Sequence, residues 1–587
     1  MGQSGVQRRA AARRGWFITE APDFRRRGFW LALAFGAMAI VVFGRLVQVQ
    51  VFQSASLSAQ AAAQHTASIA LHGKRGMLFD RGGRVLVSNR PVFDVFADPA
   101  LIDPSQRGYD AKTLAPILNV DAARLEAAMS KPNQFDYLAK GVNADVNAKL
   151  QALNLPGIGT IPTQQRVYEP SPVPDISFAS NLLGFVNADG AGQYGVEQYY
   201  NSVLSGTEGN ESALTDLLGN AIVLGSQKKV DAHDGMNLQL GLDSQIEYWA
   251  ELALAKGVTE AQAASGTLML MDPHTGSIRA WAQYPSYNAG SYGASDLSAF
   301  RDLAVSQPYE PGSVMKVVTF AGGLNNHVIT PDTIIDERQT VVDGSLIHDW
   351  DRRSHGRITM QWVLDDSLNN GAIALQQMEG KNPFYANMLG FGIGAPPGVD
   401  LAGEVNQPVP PQSRWIDLNY ATSAFGQGVV ATPVEMLAAV NTVANGGVWV
   451  QPHAVDSIVD PATGNRTSVV PHSRRVISAD AAHTLAHMMV GVVEDRGAEG
   501  FMAKIPGYKG KVAGKTGTAQ VAVNGVYGND VVASFIGFVP VDNPQFTMMV
   551  ILNYPQENHT GRFGSLLAAP IWKNVAELII DHWRILP

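Results

Sequence analysis

The segment "NLQLGLDSQIEYWAELALAKGV" (residues 237–258) joins two different hydrophobic periods. Its first part has leucine at every second position: Leu238, Leu240 and Leu242. This alternation predicts a strand with one buried face. After Asp243 and Ser244 the apolar residues recur with a helical period, and either of these side chains is a suitable N-cap. The segment therefore predicts a strand that leads directly into an amphipathic helix.

The sequence around this segment predicts the rest of a mixed domain. "SGTLMLMDPHTGSIRAWAQYP" (265–285) reads as two strands around a Pro-His-Thr-Gly turn. "ASFIGFVP" (533–540) and "QFTMMVILNYP" (545–555) read as further strands, and "APIWKNVAELIIDHW" (569–583) as a closing helix. We therefore predict an α+β fold in which helices cover an antiparallel sheet, with the first and last helices packed on one face.

Length and composition limit the class of protein. The chain has 587 residues, more than a single core of roughly 250–300 residues accommodates. Its 46% hydrophobic and 16% charged residues are typical of an ordered chain. The absence of cysteine excludes disulfides, thiolate catalysis and Cys-ligated zinc or iron–sulfur sites. Several ordered domains without such sites are therefore expected.

A membrane anchor is predicted near the N-terminus. "GFWLALAFGAMAIVVFG" (28–44) contains no charge, and as a helix it spans about 25 Å. Arg25-Arg26-Arg27 precedes it, so the positive-inside rule predicts a cytoplasmic N-terminus and an extracytoplasmic body. A cleaved signal peptide is the alternative, but the small residues Ala59 and Ala61 lie too far beyond the apolar segment. We expect a single-pass protein of the bacterial inner (cytoplasmic) membrane.

Between the anchor and the last domain the sequence changes character repeatedly. Residues 51–70 are compatible with a helix, and "GMLFDRGGRVLVSN" (76–89) predicts strand, turn and strand. "DAARLEAAMS" (121–130) predicts a short helix and "SGTEGNES" (205–212) a loop. The predicted organisation is a basic tail, an anchor, a mixed α+β region that we call the pedestal, and a larger C-terminal domain, with the boundaries 1–27, 28–50, 51–235 and 236–587.

The segment "YEPGSVMKVVTF" (309–320) contains a candidate nucleophile. Ser313 and Lys316 are three positions apart, so on a helix they share a face. The helix dipole favours an alkoxide at Ser313, and a desolvated Lys316 is able to accept the hydroxyl proton. The alternative is an ordinary N-cap serine. The same S-x-x-K pattern occurs at Ser226–Lys229 in a polar segment, so this motif alone has little weight.

Two further motifs follow in the same predicted domain. Ser367-Leu-Asn369 lies in a polar segment between helical stretches, although Ser286-Tyr-Asn288 repeats that pattern by chance. Lys515-Thr516-Gly517-Thr518 lies on a glycine-flanked strand, expected at a sheet edge beside a cleft. In this order the three motifs are the set found in penicillin-binding proteins and class A β-lactamases, which share a serine acyl-enzyme mechanism.

With these motifs the chain resembles a class B penicillin-binding protein, a membrane-anchored monofunctional D,D-transpeptidase of peptidoglycan synthesis. The resemblance covers nearly everything after the anchor: residues 75–89 and 181–209 match pedestal motifs, and 424–447 and 564–573 match further catalytic-domain motifs. Glu169 is a departure, because the family usually has Pro there, and Val314-Met315 is another, because Thr-Phe or Thr-Met is commoner. The division type is favoured over the elongation type, which remains open.

The resemblance implies a role for each motif residue. Ser313 would attack the penultimate D-Ala carbonyl of a stem pentapeptide, Lys316 would take its proton, and Ser367 would relay a proton to the leaving D-Ala. The other implied roles are substrate contact by Asn369, carboxylate binding by Lys515, Thr516 and Thr518 on the strand that includes Gly517, and an oxyanion hole from the N–H groups of Ser313 and Thr518.

The resemblance also implies the partners. They are peptidoglycan stem peptides, β-lactams that acylate Ser313, and a polytopic membrane glycosyltransferase bound through the anchor and residues near 75–90 and 180–205. We expect no cofactor, no metal and no nucleic acid.

Alternatives from other classes are a hydrolytic β-lactamase or carboxypeptidase and a non-catalytic β-lactam sensor or scaffold. The anchor and pedestal favour a synthase, and the three intact motifs disfavour a scaffold. His483 and His487 are spaced i, i+4 as zinc ligands are, but Thr484 replaces the Glu of H-E-x-x-H and no third ligand is evident in the sequence. We therefore interpret them as residues of an ordinary helix.

Overall fold

The computed structural model describes residues 24–57, 66–71, 73–214, 228–495, 497–508, 510–523, 525–556 and 561–586. The chain forms two compact units. The first contains Met1–Leu71 and Gly209–Asp231, and the second contains His72–Glu208 and Ala232–Pro587. The basic residues before Phe24 and the duplicate serine Ser226 lie outside the described residues. The predicted domain boundaries remain predictions.

The first unit contains the predicted anchor. Helix α1 (Phe24–Val47) continues into a π-helical turn (Gln48–Phe52). The apolar stretch Arg27–Phe52 has 26 residues, so it reaches about 39 Å and exceeds the roughly 30 Å hydrocarbon layer. Its side chains are mostly exposed, and among the described residues it is the one helix long and apolar enough to cross a membrane.

Two local predictions in this unit are wrong. A strand, Gly209–Leu214, overlaps the predicted loop and pairs antiparallel with Thr66–Leu71, in a region predicted to be helix-compatible. A third strand, Lys228–Val230, completes this sheet. These segments lie more than a hundred residues apart and have no strong alternation of their own, so pairing across the chain determines their conformation.

The second unit begins with a seven-stranded sheet. The predicted strand, turn and strand are Leu78–Phe79 and Val85–Ala97, and Leu78–Phe79 pairs in parallel with Asn237–Leu240. The other strands of the sheet are Asp136–Val142, Ile158–Tyr168, Val455–Val459 and Arg466–Ser468. The helices along this part of the chain are Arg107–Leu118, Ala122–Met129, Ala144–Leu153, Ser180–Leu183, Gly195–Tyr199 and Asn201–Leu204. The short helix predicted within 121–130 is therefore confirmed.

The catalytic region is built on a five-stranded antiparallel sheet. Its strands are β1 (Ser265–Met271), β2 (Ile278–Tyr284), β3 (Ala513–Val523), β4 (Val526–Val539) and β5 (Phe546–Asn553). Their order is β2-β1-β5-β4-β3, so β3 is an edge strand, as predicted. Helices α2 (Ser244–Glu260), capped by the Asp243 side chain, and α7 (Gly564–Trp583) pack together on one face. A Cβ at Gly257 would lie 2.2 Å from Cδ1 of Ile571, so glycine permits this close contact.

A second helical layer forms the main core. It includes α3 (Lys316–Asn325), α4 (Met360–Asp365), α5 (Asn369–Glu379) and α6 (Ala479–Glu494). The remaining helices of this layer are Leu303–Ser306, Lys381–Gly390, Asp417–Ser423 and Pro433–Ala444. Four small two-stranded ribbons pair Phe185–Val186 with Gly192–Gln193, Ile334–Glu337 with Gly356–Thr359, Thr340–Val342 with Ser345–Ile347, and Val448–Val450 with Ser473–Arg475. The α+β architecture predicted from the sequence is confirmed.

Glu197 connects pedestal segments that are distant in sequence. Its side chain is fully buried and forms ion pairs with Arg75 at 2.6 Å and with Arg166 at 2.7 Å. Arg166 also donates to the carbonyl of Gly76 and to Asn89. A buried carboxylate between two guanidinium groups is tolerated only while all three charges are present.

We therefore expect Glu197→Gln to destabilise the protein by about 3 kcal/mol or more, because it leaves two arginines with little solvent and no counter-charge. Urea denaturation of the full chain in detergent measures this. Glu169→Gln is the matched control, since the Glu169–Arg84 pair is equally short at 2.6 Å but exposed, and its loss costs about 0–1 kcal/mol. Equal destabilisation by both variants would contradict the assigned role of Glu197.

Candidate active site

Ser313 lies in a tight turn that leads into a buried helix. A 3-10 turn (Gly312–Met315) continues directly into α3, so the serine precedes the α-helix proper. Gly312 has φ +55° and its N–H donates to the carbonyl of Gly426 at 3.0 Å. A Cβ on Gly426 would lie 2.1 Å from the Gly312 carbonyl oxygen, so the backbone of that loop lies directly against the serine turn. The turn is thus held from outside α3.

Lys316 is fully buried, and its Nζ lies among the polar groups of two motifs. It is 3.1 Å from Oγ of Ser313, 3.2 Å from Oγ of Ser367 and 2.9 Å from Oδ1 of Asn369. Burial, reinforced by the charge of Lys515, lowers the pKa of Lys316 to about 7. A substantial fraction of this amine is therefore neutral at neutral pH and able to accept a proton from Ser313.

Ser367 occupies the short connection between α4 and α5. Its φ of +56° is unusual for a residue with a side chain, and backbone strain of this kind is characteristic of functional sites. The Ser367 hydroxyl lies between the two lysines, 3.2 Å from Nζ of Lys316 and 2.8 Å from Nζ of Lys515. It therefore links two lysine side chains that lie on different elements.

Asp349 anchors the start of α5, a role that the sequence motifs do not reveal. Its carboxylate accepts from the backbone N–H groups of Asn369 and Asn370 and from Nδ2 of Asn370 at 2.7 Å. Nδ2 of Asn369 donates to the carbonyl of His348 at 3.0 Å. These contacts orient Oδ1 of Asn369 towards Lys316. An aspartate next to the first helical residue is a recognisable N-terminal signal in a sequence. Asp349 lies in a loop twenty residues before Asn369, so the sequence does not show that it contacts this helix.

The edge strand β3 carries the third motif. Lys515 is fully buried, and burial lowers its pKa. Its Nζ contacts Oγ1 of Thr516 at 3.1 Å and Glu499 at 3.5 Å, and Thr516 donates to the same carboxylate at 2.6 Å. Glu499 is a further site residue that the sequence analysis missed. It lies outside the three motifs, and its N–H is held by the carbonyl of Asp365.

Gly517 and Thr518 complete the strand beside the serine turn. A Cβ on Gly517 would lie 2.3 Å from Oγ of Ser534 and 2.9 Å from Val314, so glycine permits β3 to approach the turn. Oγ1 of Thr518 accepts from the N–H of Gly564 at 3.1 Å, which leaves its own hydrogen available to a ligand.

The structure brings all eight predicted site residues to one place, although the motifs are far apart in sequence. Ser313, Lys316, Ser367 and Lys515 form a continuous chain of hydrogen-bonding distances. The duplicate serine Ser286 instead contacts side chains of the pedestal, Ser180 and Asn181, in a structural network. The arrangement is suited to activating a hydroxyl and moving its proton.

Comparison with known proteins agrees with this geometry. The family model for the penicillin binding protein transpeptidase domain matches residues 266–577, and that for the penicillin-binding protein dimerisation domain matches residues 70–240. Penicillin-binding protein PbpB of Mycobacterium tuberculosis is 30% identical over 93% of this chain and 84% of its own. Peptidoglycan D,D-transpeptidase FtsI of Escherichia coli is 29% identical over 95% and 91%.

Solved structures are also similar. The crystal structure of a peptidoglycan synthetase from Bifidobacterium adolescentis aligns with a TM-score of 0.71 and 27% identity, covering 89% of this chain and 97% of that one. The fold, the serine–lysine site and the two matched domains together define a transpeptidase-type acyl-enzyme protein. The chain belongs to the penicillin-binding proteins, as a class B member.

Proposed function

We propose that this protein is a serine-type D-Ala-D-Ala transpeptidase that cross-links peptidoglycan stem peptides. One observation carries the proposal: the buried Nζ of Lys316 lies 3.1 Å from Oγ of Ser313, and its pKa is lowered to about 7. In its neutral form Lys316 accepts the proton of Ser313 as the oxygen attacks the penultimate D-Ala carbonyl. The N–H groups of Ser313 and Thr518 are assigned to the developing oxyanion.

Departure of the leaving group, which completes acylation, also involves the other lysine. As the tetrahedral intermediate collapses, the C–N bond to the terminal D-Ala breaks and its nitrogen takes up a proton through Ser367, which Lys316 and Lys515 both contact. Lys515, Thr516 and Thr518 are assigned to the terminal carboxylate, with Gly517 giving it access to the strand. The acyl group then passes from Ser313 to an amine of a neighbouring stem peptide, and Asn369 orients the bound peptide.

β-Lactams are proposed to acylate Ser313 as mimics of this substrate. The full chain should therefore be labelled by fluorescent penicillin, and Ser313→Ala should abolish labelling. Ser286→Ala, in the duplicate S-x-N pattern, should label like the wild type. Equal labelling of wild type and Ser313→Ala would disprove the nucleophile assignment. Rapid release of hydrolysed drug after acylation would favour a β-lactamase instead.

The pKa of Lys316 predicts how acylation depends on pH. The neutral amine is the base, so the acylation rate constant should fall about tenfold per pH unit below a midpoint near 7 and level off above it. Glu499 favours the Lys316 ammonium, so Glu499→Gln should move this midpoint to lower pH. Stopped-flow acylation by fluorescent penicillin measures both profiles. Glu494→Gln is the control, because Glu494 pairs with Lys504 instead. A midpoint unmoved or raised in Glu499→Gln would contradict the assignment.

We propose a location in the bacterial inner membrane, with the N-terminus in the cytoplasm and the catalytic domain outside. The apolar stretch Arg27–Phe52 supports a single crossing, and Arg25–Arg27 supports this orientation. The division type is favoured over the elongation type. Septal rather than side-wall localisation in cells is the expected result.

A polytopic glycosyltransferase is the proposed partner, bound through the anchor and the pedestal near residues 75–90 and 180–205. Much of the second segment is buried, so direct contact there is limited to exposed residues such as Ala188–Gly190 and Gln198–Tyr199. In the first segment Arg81–Val85 is exposed. These exposed residues form one testable set for the pedestal contact.

The double variant Arg84→Glu, Tyr199→Asp should therefore lose co-purification of the glycosyltransferase while its penicillin labelling persists, because it alters exposed residues alone. The matched control Arg357→Glu, Tyr248→Asp also alters an exposed arginine and an exposed tyrosine, and it should retain the partner. Ser313→Ala should retain it as well. Undiminished co-purification with the first variant would rule out this pedestal contact.

A further inference from the structure

Two histidines and an aspartate meet on the surface of the catalytic region. His483 and His487 lie one turn apart on α6, with ring centroids separated by 4.4 Å. Asp542 lies in the turn between β4 and β5, with Oδ1 at 3.1 Å from Nε2 of His487. One nitrogen of each histidine and one carboxylate oxygen all lie within 4.8 Å of one another. A third potential ligand, which the sequence did not reveal, therefore lies beside the two histidines in the folded chain.

All three side chains project from well-packed backbone. The opposite face of α6 is buried through Leu485 and Met489, so the helix carrying the histidines is held in the core. Val541, next to the aspartate, is also buried, and its N–H donates to the carbonyl of Lys511 at 2.8 Å. Ligands on such elements keep their geometry with little ordering cost.

Lys511 supplies an outer hydrogen bond to the carboxylate. Its Nζ donates to Oδ2 of Asp542 at 2.8 Å. Oδ2 is therefore engaged, while Oδ1 faces His487. A metal-binding carboxylate typically has such a second partner, which fixes the orientation of its free oxygen. The side chains of His487 and Asp542 are 44% and 48% exposed, so solvent reaches the space between the three groups.

We propose that His483, His487 and Asp542 bind one Zn²⁺ ion, with water as the fourth ligand. Two imidazoles and one carboxylate form a donor set that suits zinc, and the exposed position leaves room for water. Thr484 stands where a metalloprotease would have its glutamate, so the chain provides no general base there. We therefore assign the site to binding the ion and not to metal-dependent hydrolysis of a substrate.

The ion would cross-link two parts of the catalytic region. It would tie α6 to the turn between β4 and β5. The segment after α6 carries Glu499, which contacts Lys515 and Thr516, and Lys511 precedes Lys515 by four residues on the way into β3. The expected effect is stabilisation of the folded state by metal, because binding to the folded chain shifts the unfolding equilibrium.

A second group of potential ligands must be distinguished in the test. Glu337, Asp349 and His355 also lie close together. Both carboxylate oxygens of Asp349 accept from the start of α5, and Oε2 of Glu337 accepts from the backbone N–H of His355 and contacts its Nδ1. A metal ion bound there would have to displace these contacts. We assign Asp349 to holding α5 in place.

The test uses the full chain in detergent, without a histidine tag and stripped of metal by a chelator. Equilibrium dialysis with Zn²⁺ gives the stoichiometry, and Co²⁺ substitution gives the geometry from its visible absorption. Wild type should bind one equivalent, Zn²⁺ should raise its Tm, and Co²⁺ should give the intense bands of a tetrahedral site. Asp542→Asn and His487→Ala should each weaken binding at least about tenfold and remove the Tm shift.

Two controls make the result decisive. His472→Ala removes another exposed histidine, and it should bind like the wild type. His355→Ala should also bind one equivalent of Zn²⁺. Asp542→Asn, His487→Ala and His472→Ala should retain penicillin labelling, which shows that they are folded. The proposal is overturned if Asp542→Asn binds as tightly as wild type, if His355→Ala alone loses the ion, or if no stoichiometric binding occurs.

Discussion

The buried amine of Lys316 is the group on which the rest of the structure depends. Among the described residues, no carboxylate contacts it directly. Four acceptor oxygens from two motifs surround its Nζ, including the carbonyl oxygen of Ser367, while a second buried lysine, Lys515, lies across Ser367. Two ammonium groups at this separation in a dry interior repel each other, so the arrangement favours one neutral lysine. The same burial that lowers the pKa of Lys316, and so keeps part of the amine neutral and able to accept a proton at neutral pH, also requires a tightly packed core around α3.

The rest of the fold provides that core and brings backbone segments close to the serine turn. Every residue of Pro433–Ala444 is buried, and the helices beside it enclose α3. Backbone must approach the serine turn from two sides, which is why Gly426 and Gly517 stand where any Cβ would collide. Asp349 and Glu499 then place the second and third motifs from loops. Rigid packing and a few charged hydrogen bonds together produce the site.

Much of the architecture was predictable because it follows from local patterns of hydrophobic residues. The alternation before Asp243 and the helical period after it predict the strand and α2, and the apolar segment after Arg27 predicts α1. The strand Gly209–Leu214 was not predictable, since its pairing partner lies far away in the chain. Asp349 and Glu499 were not predictable for a related reason. Neither belongs to a motif, and each becomes a site residue only through contacts with distant segments.

By itself the sequence determined the secondary structure of its periodic segments, the apolar anchor and the identity of the three motifs, because hydrophobic period and residue chemistry are local properties. Tertiary structure alone decided that Ser367 and Lys515 share a hydrogen bond across 148 residues of chain, and that burial lowers the pKa of Lys316. It also brought Asp542 to His483 and His487. Distances between remote side chains and their desolvation depend on packing, which no short stretch of sequence contains.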